Sequence, residues 1–524
     1  MTKHVKPEVI VDVNIQPGHG KAGRHPTKDF LDTLSGHKDP GMFGRMFPKL
    51  KPLSVPDKAL EELADAMMDD DDPSMDNPNV PAGFTYLGQF VDHDITLDLT
   101  SLSEKEKDPL ATENFRTPSL DLDCIYGLGP DGSPQLYARN PKETSKHGPK
   151  FLLGRCIDIG GDPPGEFRND LPRSPEGFAL IGDHRNDENL LVAQTHLAFL
   201  KFHNKVVDML SEDSNPPADL FAEARKIVTW HYQWMVLHDF VERLTEPGIV
   251  DRVLEEGRKF YRFKRVPYMP VEFSAAAYRL GHSMVRQRYS HNRIFDDFRF
   301  PIGFKLLFDF SGLSGGIIGD LAPNPHPAGG PPTPVSHLPN NWIIDWRRFY
   351  DFKTDAASIQ NFRLNHARRL DPMLAKELHD LPGGGGNLAE RNLKRGVRLG
   401  LPSGQDIAEA MRIKNPLTPD EIATGPDGDI AKKHGLHKKT PLWYYILKEA
   451  QVRCNGERLG PVGARIVAEV FIGLVHGDHQ SYLWMAKDWK PTLPSRKKGT
   501  FYMTDLLNLV GEVSPVDNIS TVSS

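Results

Sequence analysis

The chain has 524 residues, a formal net charge of −6, 39% apolar and 26% charged residues. That balance suits a soluble globular protein with a large core, and length alone suggests about three domains of ~150 residues each. The slight acidity and the lack of a long basic stretch argue against a nucleic-acid partner, and no run of 18 apolar residues spans a membrane.

Cys124, Cys156 and Cys454 are far apart and odd in number, so they form neither a disulfide framework nor a zinc pattern. The first 13 residues carry charges and a proline where a secretory leader needs an apolar core. The chain is assigned to the cytoplasm by default, with export by an unusual route left open.

Residues 1–70 read as an irregular N-terminal arm, rich in Gly, Pro, Lys and His up to residue 55. A short helix over 60–68 ends at the acidic run 69–72 and Pro73. Residues 81–95 become helical towards their end. Residues 100–180 are dense in Pro, Gly, Asp and Asn and read as loops. Helices then dominate: 190–210, with apolar residues near the helical repeat, 222–244, ended before Pro247, and 273–286. Residues 356–381 are partly helical, 388–399 form a helix stopped by Gly400 and Pro402, and 464–474 form an apolar core helix. The stretch 313–340, rich in Gly and Pro, is a loop insertion. There is no internal repeat and little strand signal. The expected class is mainly α: one large domain over 71–510 and a C-terminal tail over 511–524.

Two glycine patterns are rejected. Gly127, Gly129 and Gly132 match a dinucleotide fingerprint literally, but Pro130 and Pro134 make the stretch a turn. Gly18-His-Gly20-Lys21 lacks the spacing and hydroxyl of a phosphate loop.

The most informative segment is Gly88-Gln89-Phe90-Val91-Asp92-His93-Asp94. At ~100° per residue, Gln89, Asp92 and His93 share one helical face and Asp94 points away. The same pairing recurs downstream. Arg185 and Glu188, Arg279 and His282, and Asn392 and Arg395 each stand three residues apart. Thr117, Ser119, Asp121 and Asp123 alternate, so an extended loop would point them one way. Taken singly, these are also what surface ion pairs, helix caps and a solvated acidic loop look like.

Taken in order, the five segments resemble the animal-type haem peroxidases of the peroxidase–cyclooxygenase superfamily, in the manner of a bacterial-like member. The likeness runs from about Phe84 to Leu483 and leaves out the arm and the Gly/Pro insertion. It implies a haem b held between distal and proximal helices, with few short strands. It makes His282 the iron ligand, oriented by Asn392, and His93, Arg185 and Gln89 the distal catalytic group. An imidazole takes and returns a peroxide proton, a guanidinium stabilises developing charge, and an amide holds peroxide, water or a halide. Arg279 and Arg395 would pair with the haem propionates. Asp92 and Glu188 stand where relatives form esters to haem. A methionine that forms a sulfonium bond in the mammalian leucocyte relative is here Asn189, so at most two covalent links are implied. Calcium is implied at Asp94, Thr117, Ser119, Asp121 and Asp123, where Asp123 replaces a common serine.

The implied activity is reduction of hydrogen peroxide through a ferryl intermediate, with oxidation of phenols, bromide, iodide or thiocyanate and a part in the response to oxidative stress. Chloride is disfavoured without the sulfonium. One rival is a fatty-acid oxygenase of the same superfamily, which needs a tyrosine three residues before the proximal histidine. Arg279 stands there, and Tyr278 is one residue off. The other rival is a non-catalytic haem- or calcium-binding scaffold, which would not keep both His93 and Arg185.

Overall fold

In this computed structural model the described residues are 43–96, 118–140, 147–158, 165–174, 177–264, 266–296, 301–304, 307, 337–353, 363–381 and 385–517. Apolar residues at helical spacing, closed by polar caps, make helices the main element. Those of seven residues or more are α1 Asp57–Asp65, α2 Gly83–Ile95, α3 Leu190–Ser211, α4 Leu220–Met235, α5 Ile249–Glu256, α6 Leu388–Arg398, α7 Gly404–Ala410, α8 Gly425–Lys433, α9 Leu442–Cys454, α10 Pro461–Gly477 and α11 Met503–Val510. Among the described residues, eight short strands form four two-stranded pairings. β1 Phe43–Gly44 runs parallel to β5 Met269–Pro270. Three pairs are antiparallel: β2 Asp76–Pro81 with β8 His366–Arg368, β3 Tyr137–Arg139 with β4 His147–Phe151, and β6 Arg288–Tyr289 with β7 Ile302–Gly303.

Local chemistry sets the ends of the site-bearing helices. Asn189 caps α3 by accepting from the Val192 amide, and Asn387 caps α6 by accepting from Ala389 and Glu390. Pro461 opens α10, where a missing N–H costs nothing. Helix α2 packs against α3, with Phe90 stacked on Phe199 at 4.7 Å and Tyr232 edge-on to both. Helix α6 packs against α1 and α9. The expected arm over 1–70 is therefore not irregular throughout. Leu60, Leu63 and Ala64 of α1 are fully buried, while residues 1–42 lie outside the described residues.

Three expected helices differ. The one over 273–286 is only an α turn, Val271–Ser274, followed by a 3-10 turn, Ala277–His282. Ala276 leaves helical geometry at φ −136° and ψ −74°, and the Arg279 side chain donates to the Ser274 carbonyl at the break. The one over 222–244 ends its α geometry at Met235 and continues through a π turn, Val236–Val241, before Glu242–Leu244. The described part of 356–381 is no α-helix: it holds β8 and a 3-10 turn, Lys376–His379. Extended pairing with β2 wins there, and Arg368 on β8 is tied to Asp69 and Asp76. Helices α5, α7, α8, α9 and α11 match none of the expected elements. Residues 442–450 of α9 are all buried, so it shows no polar stripe to mark it. The Gly/Pro stretch lies outside the described residues over 313–336.

Helix α2 begins in a close contact. The Gly83 amide donates to the Phe349 carbonyl and the Tyr350 hydroxyl donates to the Gly83 carbonyl, both at 2.9 Å. A Cβ at Gly83 would fall 2.4 Å from the Tyr350 ring and 2.6 Å from the Phe349 carbonyl oxygen. Gly83→Ala is therefore expected to cost about 1–3 kcal/mol by overpacking. A lowered denaturation midpoint checks this, and an unchanged one rejects it.

Candidate active site

Helix α2 presents Gln89, Asp92 and His93 as the sequence required. His93 is 5% exposed, and its Nδ1–H donates to Asn186 Oδ1 at 2.8 Å. Asn186 Nδ2 donates in turn to Nδ1 of the buried His196 at 2.9 Å. Asn186 belongs to a 3-10 turn, His184–Asp187, that also carries Arg185. Asp183 caps this turn: its Oδ1 accepts from Arg185 N and Nε, both at 3.0 Å, and its Oδ2 from Nη2 at 2.8 Å. Arg185 Nη2 also donates to the His93 carbonyl at 3.0 Å and to the Thr96 carbonyl. The arginine thus grips the end of the helix that bears the histidine. Burial works against its charge, but Asp183 outweighs that and keeps the guanidinium cationic.

Gln89 is engaged at both ends of its amide. Its Nε2 donates to Glu188 Oε1 at 2.6 Å and its Oε1 accepts from Asn189 Nδ2 at 2.9 Å. Burial pushes the Glu188 carboxyl up to about 7, with Arg185 opposing and Asp183 adding to the rise. Asp92 acts electrostatically on Arg185, Glu188 and Tyr278, so the two acids the sequence paired do share one region.

On the other side, the turn Ala277–His282 is tied to α2 by the Tyr278 hydroxyl, which donates to the Gly88 carbonyl at 2.9 Å. Asn392 on α6 meets His282: its Nδ2 donates to His282 Nδ1 at 2.7 Å, and its Oδ1 accepts from Arg279 Nη1 at 3.4 Å. Burial, joined by the charges of Arg279, Arg395 and Arg391, lowers His282 to about 3, so the ring is neutral at ordinary pH. As placed, its proton sits on Nε2. Turning the Asn392 amide would bring Oδ1 to Nδ1, move the proton there and free the Nε2 lone pair for a metal.

The residues present fit a haem. A Cβ at Gly281 would meet nothing within 4 Å, so open space borders the proximal turn. Gln89, Asp92, Arg185, Glu188 and His282 keep partial exposure beside a buried core. A neutral imidazole is the right iron donor, and three arginine charges acting on one ring suit a ligand with two carboxylates.

The acidic loop also assembles. One carboxylate oxygen each from Asp94, Asp121 and Asp123 lies within 4.8 Å of the others. Asp94 and Asp123 are buried at 0% and 2% exposure, and Ser119 is buried in the same loop. Leu122, in left-handed geometry at φ 58°, donates its amide to Asp94 at 3.3 Å. A Cβ at Gly182 would sit 2.5 Å from the Cys124 carbonyl oxygen, so loop and Arg185 turn approach closely. Thr117 lies outside the described residues.

Sequence reasoning assigned no role to Asn186, His196 or Arg391. Nothing in the chain order links residue 186 to residue 93 or residue 391 to residue 282. Gly127 and Gly129 have positive φ and lead into a four-residue helical turn, Gly129–Gly132, too short for a dinucleotide site. Gly18-His-Gly20-Lys21 lies outside the described residues.

A mainly helical fold with a neutral imidazole on one side and a histidine–arginine pair on the other is compatible with a haem-protein site. Comparison with known proteins gives the same class. The family model described as "Animal haem peroxidase" matches residues 103–497. The chain belongs to the animal haem peroxidase family, and membership implies haem binding. The match starts beyond α2, and His93 is joined to the matched region by its bonds to Arg185 and Asn186. The chorion peroxidase of Drosophila melanogaster is 26% identical over 394 residues, covering 70% of this chain and 42% of that protein. Human lactoperoxidase is 32% identical over 139 residues, covering 24% of this chain and 19% of that protein. The chain spans less than half the length of these relatives. Among solved structures, peroxidase A from Dictyostelium discoideum superposes with a TM-score of 0.55 at 15% identity, covering 84% of this chain and 88% of that one. A fatty acid alpha-dioxygenase from Oryza sativa gives a TM-score of 0.54 at 12% identity, covering 90% and 80%. These two likenesses show the fold.

Glu188 supplies a pH test. Its folded value of about 7 lies above the ordinary 4.5, so the folded state holds the proton more tightly. Its contribution is present below the ordinary value and is lost as pH rises towards the folded one. Glu188→Gln is therefore expected to lose less stability than the natural chain as pH rises from 4.5 to about 7 in denaturant titrations. Parallel pH profiles would contradict this.

Proposed function

We propose that this chain is a haem peroxidase that reduces hydrogen peroxide and oxidises small donors. The observation that carries the reading is the Arg185 bond to the His93 carbonyl, which fixes a base and a cation as one unit. When bound, the haem supplies an iron that takes up peroxide and holds its oxidising equivalents. His282 would hold that iron, with Asn392 orienting the ring and Arg279, Arg391 and Arg395 supplying charge for the propionates. His93 takes a proton from one peroxide oxygen and returns it to the other, its Nδ1 held by Asn186 and its Nε2 turned to the reaction. Arg185 stays cationic beside developing negative charge. The donors we assign are phenols, bromide, iodide and thiocyanate. Asn189 cannot form the sulfonium link, and chloride oxidation is expected to be the weakest.

Two further details belong to the same reading. Asp92 and Glu188 are the acids available for ester links to haem, formed during turnover with peroxide. Calcium is assigned to Asp94, Asp121 and Asp123, with Thr117 and Ser119 in the same loop. Three carboxylates so close repel one another, and a hard divalent cation removes that repulsion.

A fatty-acid oxygenase is the second reading, and the dioxygenase fold neighbour favours it. Arg279 occupies the position its tyrosine needs. Tyr278 donates its hydroxyl to a backbone carbonyl, a poor acceptor for the proton that a tyrosine must release when it is oxidised to a radical. A scaffold without catalysis would have no use for the His93–Arg185 pair.

His282→Ala is expected to lose haem, whereas His93→Ala keeps haem and reacts with peroxide about 10²-fold more slowly. Haem content and stopped-flow spectra check this. Full haem in His282→Ala, or a His93→Ala rate within twofold of the natural chain, rejects the assignment. Asp121→Ala is expected to lower bound calcium, thermal stability and peroxide reactivity together while haem stays bound. Elemental analysis with a melting curve checks it, and a calcium-free protein of full activity and unchanged melting rejects the calcium site.

A further inference from the structure

Three consecutive residues of the turn His184–Asp187 reach several partners, one of them, His93, shared by two. Arg185 binds the Asp183 carboxylate and the His93 carbonyl. Asn186 accepts from His93 and donates to His196. Asp187 takes two bonds from Arg173, at 2.8 and 2.9 Å, in a pair whose side chains are 0% and 4% exposed. Asp170 holds the other edge of that guanidinium at 2.9 Å. The turn is therefore anchored at Asp187, while Arg185 and Asn186 hold the backbone and the ring of His93.

We infer that Asn186, backed by His196, is a positioning residue that holds the His93 ring so that Nε2 faces the reaction. The inference rests on the peroxidase reading and deepens it. A hydrogen bond at one ring nitrogen fixes which way the other nitrogen of an imidazole points. Arg185 grips the His93 carbonyl and so places the helix end. Asn186 binds the ring itself, at Nδ1.

An amide presents an acceptor on one side and a donor on the other, and it needs a partner to stop it turning. His196 is that partner. It is fully buried, its ring is edge-on to Phe90 with centroids 6.1 Å apart, and Asn186 is bonded at its Nδ1. Its Nε2 has no hydrogen-bond partner among the described residues, so the chain of bonds ends there. Burial lowers His196 to about 3, and the relay carries no charge of its own. It sets geometry and supplies no proton.

The test uses the haem-loaded protein and the rate of cyanide association at one neutral pH, read in the haem spectrum. Cyanide binds as the neutral acid and must pass its proton to a distal base, so the rate reports the His93 ring without turnover. Asn186→Leu keeps the size and removes the acceptor. It is expected to slow cyanide association about tenfold or more, the usual scale for losing such a supporting group, with haem content and the donor KM unchanged. Asn186→Asp keeps an acceptor for Nδ1 and is expected to restore the rate to within about threefold. His196→Gln, which keeps an acceptor for the amide, is expected to outperform His196→Leu.

Melting curves of all four variants separate positioning from stability. Rates that follow the melting temperatures, with Asp no better than Leu at position 186, overturn the inference. So does Asn186→Leu at the natural rate. If Asn186→Leu does not fold, the two His196 variants decide, and equal rates for them overturn it. A natural chain that carries haem but reacts with neither cyanide nor peroxide overturns the functional reading itself, which is a different result.

Discussion

The site depends on the grip of the Arg185 guanidinium on the His93 carbonyl. It joins two segments far apart in the chain and sets the spacing of a base and a cation. The grip holds because Asp183 takes three bonds from the same residue and is itself only 3% exposed. Removing one partner of such an enclosed pair costs about 3–5 kcal/mol, because the other charge is left buried. Neighbouring features lean on this contact. The acidic loop comes close to Gly182 just before Asp183, and Glu188 just after the turn holds Gln89. A change at any of these points reaches His93 through a few rigid links.

Burial divides the labour on the two sides of the site. Around His282 it keeps the ring neutral, which suits a metal ligand, and the charges of Arg279, Arg395 and Arg391 gather there. On the distal side it raises Glu188, which is therefore close to half-protonated near neutrality, while Asp183 preserves the charge of Arg185. The same low-dielectric surroundings thus produce a neutral imidazole, a partly neutral acid and a permanent cation. Helix α2 lies between these environments, fixed by Gly83 at its start and by Tyr278 at Gly88.

Much of this was legible in residue order. Spacings of three along helices placed Gln89 with Asp92 and Arg185 with Glu188, and Asp94 does face away towards Asp121 and Asp123. The long helices over 190–210 and 388–399 fell within a residue or so of α3 and α6. What stayed hidden was what depends on tertiary bonds. The proximal helix breaks at Ala276 because an arginine side chain takes the place of a backbone donor, and no local propensity announces that. Helix α9 is buried all round and shows no stripe. The Asn186 bond to His93 joins residues 93 apart, and only folding could reveal it.

A crystal structure of the haem-loaded protein tests the central claim most directly. The account expects iron bonded to His282 Nε2, Asn392 at the other nitrogen of that ring, and His93 and Arg185 together across the haem with the Arg185 to His93 carbonyl bond intact. Iron bonded to His93 instead, or a haem seated where Arg185 and His93 do not share one face, would contradict it.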